Sequence, residues 1–285
     1  MPLQHLIDYF NQRCVEENGL KEPPLNYEAG KVIGRSGGST FTSRLRPVRQ
    51  NAAPSAIAGY DASIRVDSLA DTGEDASAVL FTDDVPDIVG LDRLTRTVHM
   101  LNFLPISHED GHLFVHVHPR HILAVKRDHG AYFEEIIVSC GLSPRRVVIT
   151  LTVSPAYTPQ FSLLLDRLKN YRARGYATAI KFDVRAGDAS LERYCLEFLY
   201  RHTPDFVRFE CPFFLKPVRI ASEERRRASL LSAIRRLDTQ LLIEGVHGEA
   251  EARLARTLNP DFVQGDWFEQ TLAHETNARV TAGSR

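Results

Sequence analysis

The chain has 285 residues, 43% of them hydrophobic and 25% charged, with a formal net charge of −1. That is ordinary soluble composition with enough apolar residues for a large core, and a length suited to one α/β barrel or two smaller domains. The near-neutral balance leaves no global basic field to draw in nucleic acid or an anionic membrane, which argues against a bulk DNA binder while leaving local arginine clusters open, and the widely spaced Cys14, Cys140, Cys195 and Cys211 argue against a zinc knuckle or a disulfide framework. The N-terminus lacks a signal pattern and no apolar run approaches the ~20 residues of a membrane span, so a cytoplasmic protein is expected.

Leu3, Leu6, Ile7, Phe10 and Cys14 or Val15 recur at helical spacing, which predicts an amphipathic helix over 3–17 ending near Asn18-Gly19. Glu22-Pro23-Pro24 and residues 34–38 read as connecting loop, so residues 1–39 form an N-terminal helical extension. The helix must bury its apolar face, either on its own domain or against a partner or second copy. Strands follow over 40–49, carrying Arg44, Arg46 and Arg49, and over 56–66. Residues 67–81 are polar and read as an exposed loop. Residues 84–103 read as a helix with Pro86 in its first turn and Ile88, Leu91, Leu94, Val98 and Leu101 on one face.

From here the pattern is regular. Residues 113–117 alternate as a strand, and 121–140 are helix-like, closing at Gly141. Residues 147–149 form a strand. Thr158-Pro159 opens a helix as a cap residue followed by a first-turn proline, with Phe161, Leu164, Leu165, Leu168 and Tyr171 buried. A strand over 178–183, a helix over 190–200 and a strand over 206–209 come next. The helix over 223–237 turns Ala228, Leu231, Ile234 and Leu237 inward, and short strands close the series at 241–243 and 261–263. Strands alternating with helices imply a largely parallel sheet, and seven or eight such units favour a closed barrel.

The stretch 240–268 concentrates the candidate chemistry. Glu244 ends a short apolar run and precedes Gly245; Gln264 ends the next and precedes Gly265. Strand ends of parallel α/β sheets are where such folds place their chemistry, although structural ion pairs also occupy these positions. His108, His112, His116, His118 and His121 crowd one span, and His116-Val117-His118 puts two imidazoles on one strand face. They read either as a Zn²⁺ site or as histidines hydrogen-bonded near the barrel mouth. Arg225-Arg226-Arg227 reads as a solvated helix face.

The order of short anchors resembles the EAL-domain family, the cyclic di-GMP phosphodiesterases and their inactive relatives, across 40–267. Gly59-Tyr60-Asp61-Ala62-Ser63-Ile64-Arg65 stands where the family has Gly-Tyr-Glu-Ala-Leu-x-Arg, and Arg46-Pro47-Val48 where it has Gln-Pro-Ile. Val115-His116-Val117-His118-Pro119 takes the place of Val-Asn-x-Ser-Pro. Residues 142–154 resemble the Gly-Leu-x-Pro to Glu-x-Thr-Glu-Ser segment. Phe182-Asp183 stands at the Asp-Asp pair, Arg208-Phe209-Glu210 at Lys-x-Asp, Glu244-Gly245-Val246-His247 at Glu-Gly-Val-Glu, and Gln264-Gly265 at Gln-Gly. The resemblance implies a TIM-like (β/α)8 barrel of EAL type with one early antiparallel strand. It would occupy 40–270, preceded by the extension and followed by a C-terminal tail over 271–285.

The family chemistry implied needs two divalent cations on oxygen ligands, generating a metal-bound hydroxide that attacks the phosphodiester. On the matching positions, Asp61 replaces a Glu, His116 an Asn, Thr150 a Glu, Phe182 an Asp, Val153 a loop-ordering Glu and Arg208 the general-base Lys. Only Asp183, Glu244 and Gln264 are kept. Lost carboxylates remove Mg²⁺ ligands, and an arginine cannot accept a proton at physiological pH. The expectation is a degenerate, non-hydrolysing EAL protein with no metal or other cofactor. It would act on an unidentified regulatory protein in bacterial signalling over motility, biofilm or virulence.

Two alternatives stand beside it. One is a cyclic di-GMP receptor that binds without cleavage through Arg46, Asp61, Arg65, His116, Asp183, Arg208, Glu210, Glu244 and Gln264, the arginine forks suiting phosphate or guanine. These arginines would otherwise fill the vacated pocket by pairing with Asp61, Asp183, Glu210 and Glu244. The other alternative is an enzyme, either a residual phosphodiesterase or a histidine-dependent metal hydrolase. A homodimer is expected from the family, with the N-terminal helix as a candidate surface. No attached GGDEF-like or PAS-like domain is expected, so signal input would come from a partner or ligand.

Overall fold

The computed structural model describes residues 3–18, 22–66, 85–107, 111–125, 130–182, 196, 199–215 and 221–272. The expected loop over 67–81, the tail from 273, most of the helix over 190–200, and Asp183 lie outside them. The strands form one sheet in the order β1-β2-β3-β10-β9-β8-β7-β6-β5-β4, and β4 pairs back onto β3. Their ranges are β1 Leu25–Glu28, β2 Lys31–Ser36, β3 Ser39–Gln50, β4 Ile57–Val66, β5 His112–Val117, β6 Val147–Val153, β7 Ala177–Phe182, β8 Phe206–Glu210, β9 Gln240–Glu244 and β10 Phe262–Val263. The eight strands β3 to β10 therefore close as a TIM-like barrel sheet. Strand β3 runs antiparallel to β10. The β4–β5, β5–β6, β7–β8, β8–β9 and β9–β10 ladders are parallel.

By contact the chain divides into two compact units. The first holds Met1–Arg46, Gly59–Leu151 and Pro159–Thr178. Its helix α1 (Leu3–Asn18) buries Leu6, Ile7, Phe10 and Cys14, and the Asn11 side chain both donates to Leu25 O and accepts from Leu25 N at 2.8 Å. The apolar stripe of α1 is thus used within the unit, not left for a second copy. Residues 34–38, expected as loop, are divided. Gly34 to Ser36 belong to β2, and only Gly37-Gly38 turns, because both take positive φ (56° and 78°), the geometry a two-residue hairpin requires. The extension therefore carries a β-hairpin as well as a helix.

Helix α2 (Val85–Phe103) matches its expected span, with Ile88, Leu91, Leu94, Val98 and Leu101 buried. The single helix expected over 121–140 is two, α3 (Pro119–Ala124) and α4 (Ala131–Ser139). Val125 leaves the helical region at ψ 117°, and α4 restarts after Gly130 in the left-handed conformation. Helix α5 (Phe161–Ala173) begins later than the Thr158-Pro159 signal implied, because Pro159 lies inside a 3-10 turn over Pro155–Gln160.

The second unit holds Pro47–Ala58, Thr152–Thr158 and Ala179–Arg285. Helices α6 (Cys211–Leu215), α7 (Ala221–Arg236) and α8 (Glu249–Leu258) alternate with β8 to β10. The inward face of α7 is Leu230, Ala233 and Ile234, while Ala228 is exposed. Leu230 offers far more apolar area to bury than Ala228, and it rotates the expected stripe. No helix among the described residues is long and apolar enough to cross a membrane.

Two thiols provide a pH test of this packing. Burial pushes the Cys140 thiol up to about 12 and the Cys211 thiol up to about 11, and only the thiolate is the nucleophile. A raised pKa delays thiolate formation. Both cysteines in the native chain are therefore expected to label with a maleimide at least about a hundredfold more slowly near neutral pH than an ordinary thiol of pKa ~8.5. Site-resolved mass spectrometry across a pH series checks this, and fast neutral labelling of either would contradict it.

Candidate functional site

Two polar clusters lie on adjacent strands, one in each unit. In the first, Asp61 on β4 is 1% exposed. Its Oδ2 lies 3.4 Å from Arg46 Nη2 on β3, and its Oδ1 lies 3.3 Å from His116 Nε2 on β5. A buried carboxylate needs such partners, since an isolated charge could not be taken out of water at acceptable cost. Thr150 on β6 stands opposite His116 in the ladder and is buried, supplying a hydroxyl where the resemblance expects a carboxylate. Arg65, four residues further along β4, is exposed.

The two imidazoles of His116-Val117-His118 do separate work. Strand β5 ends at Val117, and His118 becomes the N-cap of α3, its Nδ1 accepting from Arg120 N at 3.2 Å. Burial lowers the His118 pKa from its ordinary value, against the opposing pull of Asp92, which suits an imidazole that accepts a hydrogen bond. Among the described residues no group of three or more His, Cys, Asp or Glu side chains is arranged to hold a metal ion. His121 instead joins a buried network on α2. Its Nδ1 lies 3.1 Å from Asp92 Oδ2, whose other neighbour is Arg96 Nη2 at 2.5 Å.

The second cluster is built on three adjacent strands. Arg208 on β8 is wholly buried and donates to Glu244 Oε2 from Nε at 3.1 Å and from Nη2 at 2.6 Å. Lys181 on β7 pairs with Glu244 Oε1 and lies 3.3 Å from Glu210 Oε1. The register explains the meeting: Lys181 faces Arg208 across β7–β8, and Glu210 faces Glu244 across β8–β9. Burial and the nearby Arg208 depress the Lys181 pKa, but Glu244 and Glu210 together more than offset them and the value rises, so the amine stays charged. The Glu244 end is shaped by Gly245 at φ 73°. It is closed by Gly265, where an added Cβ would come 2.0 Å from Val246 O. Gln264 is buried, its backbone N–H donating to Ile243 O and its carbonyl accepting from Val246 N.

Of the residues singled out from sequence, the structure brings Arg46, Asp61 and His116 together in one unit, and Arg208, Glu210 and Glu244 together in the other. Asp183 lies outside the described residues. Phe182 does not occupy the cluster as its matching position suggested. Its ring stacks on Phe209 at 5.2 Å, which continues to Phe213 at 5.5 Å, on the face of β7 and β8 opposite to Lys181 and Arg208. Lys181 is the residue that sequence reasoning missed. A lysine interrupting an apolar strand, Ala177 to Phe182, was the available signal.

The closed sheet of eight strands with one antiparallel member, with polar side chains gathered on adjacent strands, defines a TIM-like barrel protein. The EAL domain family profile matches residues 39–271, and the chain belongs to the EAL domain family. It is similar to Klebsiella pneumoniae BlrP1, solved with calcium and cyclic di-GMP, at 19% identity and a TM-score of 0.63, over 79% of this chain and 54% of that one. It is also similar to Bacillus subtilis YkuI, solved with substrate cyclic di-GMP and calcium, at 18% identity and TM-score 0.64, over 86% and 61%. A third likeness is to a standalone EAL protein from Vibrio cholerae O395 in its cyclic di-GMP-bound form, at 17% identity and TM-score 0.60, over 81% and 91%. The chain thus spans little more than half the length of the BlrP1 structure. No curated protein matches it.

Proposed function

We propose that this EAL-family chain is a non-hydrolysing, cytoplasmic regulator that acts through protein contacts in cyclic di-GMP-related signalling. The observation that carries this is the double engagement of Glu244, one carboxylate oxygen by Arg208 and the other by Lys181. Divalent cations want several oxygen donors, and here the retained glutamate already faces two fixed cations. The resemblance expects further carboxylates at Thr150 and Phe182, and one of these is an uncharged hydroxyl while the other is part of an aromatic stack. These residues do not fit the ions the family chemistry uses. At the general-base position Arg208 keeps its proton at any physiological pH. A barrel of this kind retains surface and shape as its means of action, and self-association into a dimer belongs to the same proposal.

The test is hydrolysis of cyclic di-GMP by the purified chain with Mg²⁺ or Mn²⁺. No turnover above buffer is expected, and turnover abolished by Asp61→Ala would overturn the proposal. A second reading, a receptor that binds the nucleotide uncleaved, is favoured by the nucleotide present in the three similar structures and by the exposed Arg65. Calorimetric titration separates the two: saturable heat assigns the receptor, and its absence leaves protein contact alone.

A further inference from the structure

Lys181 answers to none of the motifs that led to the site. Glu210 and Glu244 stand directly opposite each other across β8–β9, a placement in which like charges repel. A cation between them relieves that repulsion. Lys181 supplies it, reaching from β7 to both carboxylates, while Arg208 holds the second oxygen of Glu244. We infer that Lys181 is a built-in substitute for a divalent cation at Glu244, making this end of the site independent of metal. The inference rests on the non-hydrolytic reading and deepens it, by saying what took the place of the ion.

The chemistry of the residue agrees with that role. An ammonium is a compact, strongly hydrated point charge with three donors, the side-chain group nearest to a small cation in its demand for several oxygens. An arginine fork at the same place would engage one carboxylate bidentately and leave the other facing it. The set of Lys181, Arg208, Glu210 and Glu244 also sums to zero charge. It therefore offers a divalent ion no excess of negative charge, and an entering ion would have to displace an amine already paired to both carboxylates.

The experiment is Mn²⁺ binding by the full chain, stripped of metal by chelator and followed by electron paramagnetic resonance of the free ion without nucleotide. The wild type is expected to take up no Mn²⁺ that depends on Glu244. Lys181→Met, which leaves Glu210 and Glu244 with one cation fewer, is expected to gain Glu244-dependent Mn²⁺ binding at least about tenfold tighter than any residual uptake by the wild type, a difference of about 1.4 kcal/mol. Lys181→Arg, whose fork keeps the charge but engages only one of the two carboxylates, is expected to gain less Mn²⁺ affinity than Lys181→Met. Wild-type binding that Glu244→Gln abolishes would overturn the inference, whether or not the Lys181 variants fold. A folded Lys181→Met that gains nothing would overturn it as well, and Lys181→Gln serves if the methionine variant does not fold. Hydrolysis measured on the same samples keeps the two readings apart: wild-type turnover defeats the proposed function, whereas an unchanged Mn²⁺ isotherm in inactive proteins defeats only the role given to Lys181.

Discussion

Asp92→Ala is expected to destabilise the chain by about 3–5 kcal/mol, the usual cost of removing one partner from a buried ion pair. Asp92 is 1% exposed and Arg96 2%. Asp92 Oδ2 binds Arg96 Nη2 at 2.5 Å and lies 3.1 Å from His121 Nδ1, while Oδ1 accepts from His118 N at 3.0 Å. One carboxylate thus joins α2 to the start of α3. Arg96 packs over the Phe133 ring at 4.8 Å. Burial alone would lower its pKa, yet Asp92, with Tyr171 and Tyr176, more than compensates and the value rises, so the guanidinium stays charged and would lose its carboxylate counterion. The double variant Asp92→Leu with Arg96→Met removes both charges at similar volume and is expected to cost much less than the single one. Urea unfolding of the three proteins checks this, and a single variant as stable as the wild type would contradict it.

Glu244→Ala is expected to cost a comparable amount, again about 3–5 kcal/mol. Here the group left behind is Arg208, which is wholly buried and donates twice to the lost carboxylate. Lys181 would face Arg208 across the β7–β8 register with the charge of Glu244 removed from both. Glu210 is about a third exposed on its side chain, so Glu210→Gln is expected to cost less than about 1 kcal/mol, as solvent-screened pairs do. The ratio of the two effects, read from urea midpoints, measures how much of the cluster rests on the inner carboxylate. Equal effects would mean that burial of Arg208 is not what sets the cost.

Much of the barrel was legible because its signals are local. The apolar stripes of α1, α2 and α5 sit at helical spacing, and the short strands β4 to β10 alternate with helices in chain order. Splitting the helix expected over 121–140 depended on Val125 and the left-handed Gly130, which a hydrophobic pattern does not register. The rotated face of α7 followed from choosing Ala228 over Leu230 among residues at nearly equivalent spacing.

The site divides in the same way. By itself the sequence determined the family resemblance and which residue types hold each strand end: Asp61, Glu244 and Gln264 kept or nearly kept, Thr150, Phe182 and Arg208 in place of carboxylates and a lysine. Only the tertiary structure decided who meets whom. Side chains on a strand alternate between faces, so a shift of one residue exchanges the polar and apolar sides. That is why Phe182 lies in an aromatic stack while its neighbour Lys181 reaches Glu210 and Glu244. The pairing of Arg46 and His116 with Asp61, and of His121 with Asp92, likewise depends on registers between segments distant in sequence. Charges on separate strands have no local signature, and their partners are fixed only when the sheet closes and water is excluded between them.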